Sequence, residues 1–160
     1  MKERWVLLMV VVLVAAALGV TGCVTTSKTS PEAFEQAVKD IWVKYSKTLM
    51  DGDVNGYMAL WDQGGVQLPP GVPMNMSWAD IKKGTEATMT AFRFASFAIK
   101  ISGTFVDQNY GFAYGNYTFT LVPKAGGAEI KGDGKYETIF KRQADGSWKI
   151  FRDCYNSNVP

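Results

Sequence analysis

The stretch IKGDGKYETIFKRQADGSWKIFRDCYN, Ile130 to Asn156, carries the strongest structural signal in the chain. At its centre, Ala144-Asp145-Gly146 is a turn signal, because Asp bonds local backbone and Gly admits positive φ. The flanks are rich in aromatic and β-branched residues. Tyr136, Thr138 and Phe140 alternate with Glu137, Ile139 and Lys141, the period of a strand with two different faces. The passage therefore reads as two antiparallel strands, Ile130 to Arg142 and Trp148 to Asn156. Upstream, Phe97 to Val106 and Tyr110 to Val122 have the same character. Asp107-Gln108-Asn109 and the run from Lys124 to Ala128 separate them. Four strands in a meander are expected.

The residues before this block have helical spacing. Ser30 is placed to cap a helix, with Pro31 at its first position and Glu32 behind. Phe34, Ala37, Val38, Ile41, Trp42, Tyr45 and Leu49 fall on one face, while Lys39, Lys44 and Lys47 fall elsewhere. Gly52 stops this helix, and Asp53 caps a shorter one carrying Val54, Tyr57, Met58, Leu60 and Trp61. Asp62 to Ser77 reads as a loop, broken by Gly64-Gly65 and Pro69-Pro70-Gly71, with a short strand near Val66 to Leu68. A third helix is expected between Trp78 and Phe94. Helices first and strands last predict an α+β domain, helices on one face of a sheet.

The N-terminus has another purpose. Lys2 and Arg4 precede an uncharged run from Trp5 to Gly19, shorter than the roughly 20 apolar residues of a spanning helix. Val20-Thr21-Gly22-Cys23 resembles the bacterial lipobox. The resemblance implies a signal peptide over residues 1–22, lipid on Cys23 and a Ser/Thr-rich tether over 23–31, leaving 32–160 as the domain. Several acyl chains anchor far better than one, at about 0.8 kcal/mol per buried methylene. Val24, where an inner-membrane lipoprotein tends to carry Asp, implies the outer membrane, facing the periplasm. In a source with one membrane the address becomes the outer leaflet of the cell membrane.

Composition narrows the chemistry. There are 17 basic and 15 acidic side chains and no His. No basic stripe stands out, so no nucleic-acid partner is expected. The commonest metal ligand and neutral-pH base is missing, and neither metal nor cofactor is expected. With Cys23 acylated, Cys154 is the only thiol, so no internal disulfide forms and packing must supply the stability.

The order of elements resembles the nuclear transport factor 2-like (NTF2-like) superfamily, in its SnoaL-like and ketosteroid-isomerase-like branch. The resemblance rests on the segment from Tyr45 to Trp61 with its Gly52-Asp53 turn, on Val66 to Pro70, Ala113-Tyr114-Gly115 and Gly134-Lys135-Tyr136. Asp145-Gly146-Ser147-Trp148-Lys149-Ile150 and Arg152-Asp153 complete it. It implies a cone: three helices closing over a strongly curved, mainly antiparallel sheet, with a pocket at one end and a homodimer through the outer sheet face. Such a pocket suits a small, largely apolar or amphipathic ligand.

The isomerase branch uses a carboxylate base, a Tyr and a protonated Asp. Carried over, the Tyr falls on Tyr45, the base on Pro69 and the second acid near Thr138. Only the Tyr is retained. Asp153, inside the last strand and alternating with Phe151 and Tyr155, is the remaining candidate acid. Burial among aromatics would raise its pKa; pairing with Arg152, Arg93 or a helix end would leave it structural. Candidate pocket walls are Trp42, Trp61, Trp78, Tyr114, Tyr136 and Phe151, with Asn116 and Thr138 either polar contacts or simply facing water. Aromatics at these spacings also serve as plain core. Three functions stay open: a ligand-binding lipoprotein, an isomerase, cyclase or dehydratase using Asp153 and Tyr45, and a scaffold module with a closed cone.

Overall fold

The computed structural model describes residues 29–158. The expected signal peptide, Cys23 and most of the expected tether lie outside the described residues. The described chain runs α1 (Pro31–Asp51), α2 (Val54–Ala59), β1 (Trp61–Leu68), α3 (Trp78–Ala91), β2 (Phe92–Val106), β3 (Tyr110–Pro123), β4 (Ile130–Arg142) and β5 (Trp148–Ser157). Among the described residues no helix is long and apolar enough to cross a membrane.

Local chemistry sets the helix ends. The Ser30 hydroxyl accepts the Ala33 N–H, and Pro31 opens α1. Gly52, at φ 70°, closes it in the left-handed conformation that disfavours other residues. Asp53 accepts the Gly56 N–H and starts α2. Phe34, Val38, Ile41, Trp42, Tyr45 and Leu49 form the buried face of α1, which lies across β2.

The sheet has five strands in the order β1-β5-β4-β3-β2. The predicted meander is present: β2, β3, β4 and β5 pair antiparallel in succession. β1 joins the far edge parallel to β5. This strand begins at Trp61, where helix was expected, and it includes Gly64-Gly65. The glycines do not break it; they form an irregular segment in which Asp62 accepts the Gly64 N–H. α3 likewise ends at Ala91, earlier than expected, because Phe92 and Phe94 pair with Pro123 and Leu121 in the β2–β3 ladder.

Phe34, Trp61, Phe140 and Ile150 are fully buried. Phe34 packs edge-on to Phe140 and Trp148, with centroids 5.9 and 4.8 Å away. Each such side chain contributes about 1.5–3 kcal/mol by leaving water. Register shifts in β2 and between β4 and β5 curve the sheet around the helices.

Candidate functional site

Asp153 lies on the inner face of β5, the strand between β1 and β4. It pairs in register with Thr138 of β4 and with Gln67 of β1. The Thr138 hydroxyl donates to its carboxylate at 2.7 Å. Asp153 is only 4% exposed, and no ion pair among the described residues includes it. Burial pushes its pKa up to about 6, against hydrogen bonds from Thr138 and Gln67 that favour the charged form. Arg152, the expected structural partner, turns away. It donates to the Gly64 and Phe151 carbonyls, and its guanidinium lies over the Phe151 ring.

A belt of aromatic rings surrounds this carboxylate. Trp42 and Tyr45 reach down from α1, their centroids 5.3 Å apart. Tyr45 meets Phe97 at 5.5 Å, Phe97 stacks on Tyr117 at 6.1 Å, and Tyr117 meets Tyr155 edge-on at 6.0 Å. Tyr155 is the cross-strand neighbour of Tyr136, and Tyr136 returns to Trp42 at 5.4 Å. Together with Ile99 and Asp153, these rings line a cavity of about 50 Å³. A second hollow of about 130 Å³ shares Tyr45, Phe97 and Tyr155, and continues past Leu49, Met89 and Phe94 to Thr85 and Thr88. Pockets for drug-sized ligands run to roughly 300–1,000 Å³. This interior suits a molecule of few atoms, or a slender one reaching both hollows.

Gly134 makes the belt fit. Tyr117 lies over its cross-strand partner Gly134, where a Cβ would come within 2.3 Å of the ring. Behind Tyr45, Tyr57 donates its hydroxyl to that of Tyr45 at 3.2 Å, and the Gln67 amide donates to Tyr57 at 3.4 Å. Burial holds the Tyr45, Tyr57 and Tyr155 hydroxyls well above the usual phenol range, and pushes Tyr136 up to about 12.

Of the residues singled out by sequence, Trp42, Tyr45, Tyr136, Thr138 and Asp153 meet here. The others do not. Trp61 is sealed in the core, and Trp78 opens α3, half-buried away from the cavity. Tyr114 and Asn116 have the opposite strand parity and line a shallow basin on the outer sheet face with Glu137 and Cys154. Phe151 also faces outward. Ile150 pairs with Phe140 and Arg152 with Ile139, so Phe151 is the extra residue of a bulge that breaks alternation before Asp153. Pro69 sits half-buried just beyond β1 and does not line the hollow around Asp153. Sequence reasoning missed Tyr57, Gln67, Phe97, Tyr117 and Tyr155. Tyr155 follows from Asp153 by alternation; Tyr117 shares the parity of Ala113 and Gly115, whose burial is set by the fold and not by a local signal.

No protein-family model and no curated protein matches the chain. Solved structures do. A conserved protein from Planctomyces limnophilus superposes with a TM-score of 0.72 at 18% identity, covering 77% of this chain and 94% of that one. A ketosteroid isomerase-like protein from Erwinia carotovora atroseptica gives 0.70 at 18% identity, over 78% and 96%. An NTF2-like superfamily protein from Salmonella enterica gives 0.71 at 16% identity, over 82% and 95%. The described chain has the NTF2-like fold.

Proposed function

We propose that the chain is a lipid-anchored envelope protein whose cone binds a small, largely apolar or amphipathic molecule. The carrying observation is Asp153, a buried carboxylate with no cationic partner among the described residues, on the wall of an aromatic-lined hollow. Cavities that combine apolar walls with one polar group are the usual form of a ligand site. The anchor reading is supported by the likeness of Val20 to Cys23 to a lipobox, and the outer-membrane address by Val24. Exposed Phe105, Tyr110, Tyr114 and Ile139 on the outer sheet face support a homodimer through that face.

A second reading has its own support. A carboxyl with a pKa of about 6 suits proton transfer near neutrality, and the Tyr57–Tyr45 hydroxyl pair lies along the same cleft. Asp153 would then be the acid or base of an isomerase, cyclase or dehydratase, with Tyr45 as hydrogen-bond donor.

Native mass spectrometry tests the binding reading. Protein released from its own host's envelope in a nonionic detergent is expected to carry a small non-covalent ligand that denaturation strips off. A population with no retained ligand, and no binding from the host's small-molecule extract, overturns it.

A further inference from the structure

We infer that the inner hollow receives an organic cation, an ammonium head group held between the aromatic belt and the Asp153 carboxylate. The inference deepens the ligand-binding reading and rests on it.

Three observations carry it. The first is the belt itself. Trp42, Tyr45, Phe97, Tyr117, Tyr155 and Tyr136 follow one another around the cavity at centroid spacings of 5.3 to 6.1 Å where ring contacts link them, with Tyr136 and Tyr155 joined as cross-strand neighbours. Aromatic faces are electronegative, and an enclosure of them attracts a desolvated cation and repels an anion.

The second is the charge balance. Asp153 is 4% exposed, and its hydrogen-bond donors, the Thr138 hydroxyl and the Gln67 amide, are both neutral. Two phenols of the cleft spend their protons elsewhere: Tyr57 donates to Tyr45, and Tyr117 to the Asn156 carbonyl. A buried carboxylate calls for a positive partner. Among the described residues no cation pairs with it, which leaves that place to a cation from outside whenever Asp153 is charged.

The third is size. A water needs roughly 10–15 Å³ of such space, so a cavity of about 50 Å³ admits a head of about three to five non-hydrogen atoms. That is the scale of a methylated ammonium. The adjoining hollow, about 130 Å³ and walled by Leu49, Met89 and Phe94, receives a slender apolar tail.

The test compares tetramethylammonium chloride with tert-butanol, a neutral molecule of the same shape, on the full lipidated protein in nonionic detergent at matched ionic strength. Tryptophan fluorescence and aromatic NMR shifts report binding. Tetramethylammonium is expected to bind saturably at pH 7.5, at least tenfold more tightly than tert-butanol. Its affinity should fall about tenfold between pH 7.5 and pH 5, as Asp153 protonates. The groups facing Asp153 are Trp42 and Tyr45 of α1, Tyr57 of α2, Gln67 of β1, Phe97 of β2, Tyr117 of β3, Tyr136 and Thr138 of β4, and Tyr155 of β5. The phenols that shift all shift upward, so Asp153 alone titrates in this window. Asp153→Asn should remove at least tenfold of the affinity and the pH dependence, and Phe97→Leu should weaken binding several-fold. If tert-butanol binds as tightly and neither pH nor Asp153→Asn matters, the cation inference is overturned while the ligand-binding reading stands. If neither probe binds, the cation inference is overturned, and the retained-ligand measurement decides the broader reading separately.

Discussion

Thr138 and Asp153 face each other across β4 and β5, and the Thr138 hydroxyl donates to the Asp153 carboxylate at 2.7 Å. The bond joins two residues, each with no more than 4% of its surface exposed, at the floor of the cone. It favours the charged form of a group that burial makes costly to charge.

Thr138→Val removes that donor and keeps the side chain's shape. The Asp153 midpoint should rise above its value of about 6, read by carboxyl carbon NMR across a pH titration. At pH 7.5 the variant should lose about 1–3 kcal/mol of stability, the cost of stranding a buried acceptor. An unmoved midpoint contradicts the assigned bond.

Asp153 should cost stability at neutral pH. Its folded pKa, about 6, lies above the unfolded value of 3.8. Below 3.8 both states hold the proton and there is no penalty. Between the two values the folded state keeps a proton that the unfolded state releases, so stability falls as pH rises. Above about 6 the penalty is complete, about 3 kcal/mol for a shift of roughly two units. In ligand-free protein, urea melts of Asp153→Asn against the parent should coincide near pH 3. They should separate by up to about 3 kcal/mol in the variant's favour at pH 7.5. A variant less stable at pH 7.5 contradicts the account.

Gly134→Ala tests how the belt is seated. The new methyl meets the Tyr117 ring and the Asn156 carbonyl oxygen, at 2.3 and 2.5 Å. The variant should lose about 1–3 kcal/mol, as overpacked sites do, and the Tyr117 ring resonances should shift. Unchanged thermal unfolding and unchanged Tyr117 signals contradict the close approach.

Cys23→Ser tests the anchor. Metabolic labelling with a fatty acid should disappear, and the protein should leave the membrane fraction or remain unprocessed. Labelling that persists in the variant contradicts lipidation at Cys23.

The parts of this architecture written in local chemistry were legible in the sequence. Ser30, Gly52 and Asp53 mark helix ends by their own side chains or their lack of one, and Asp145-Gly146 marks the last hairpin. What escaped depends on pairing between distant segments. Trp61 looks helical by spacing but joins β1, because Ile150 donates its N–H to the Leu60 carbonyl. Phe151 looks inward by alternation, yet a one-residue bulge sends it out and still leaves Asp153 facing in. Tyr114 faces out where a pocket wall was expected, and Asn116 takes the solvent-facing alternative, because nothing local fixes the parity of β3. The buried Ala113 and Gly115 on the other parity do so only once the helices are in place.

The central claim is that the space around Asp153 is a ligand site. A crystal structure of protein isolated from its own envelope at pH 7.5 tests it most directly. A small molecule is expected inside the aromatic belt, within contact distance of the Asp153 carboxylate and flanked by Trp42, Tyr117 and Tyr155. A ligand-saturated crystal in which that space holds only water, or has closed over Asp153 while the bound molecule sits elsewhere, would contradict it.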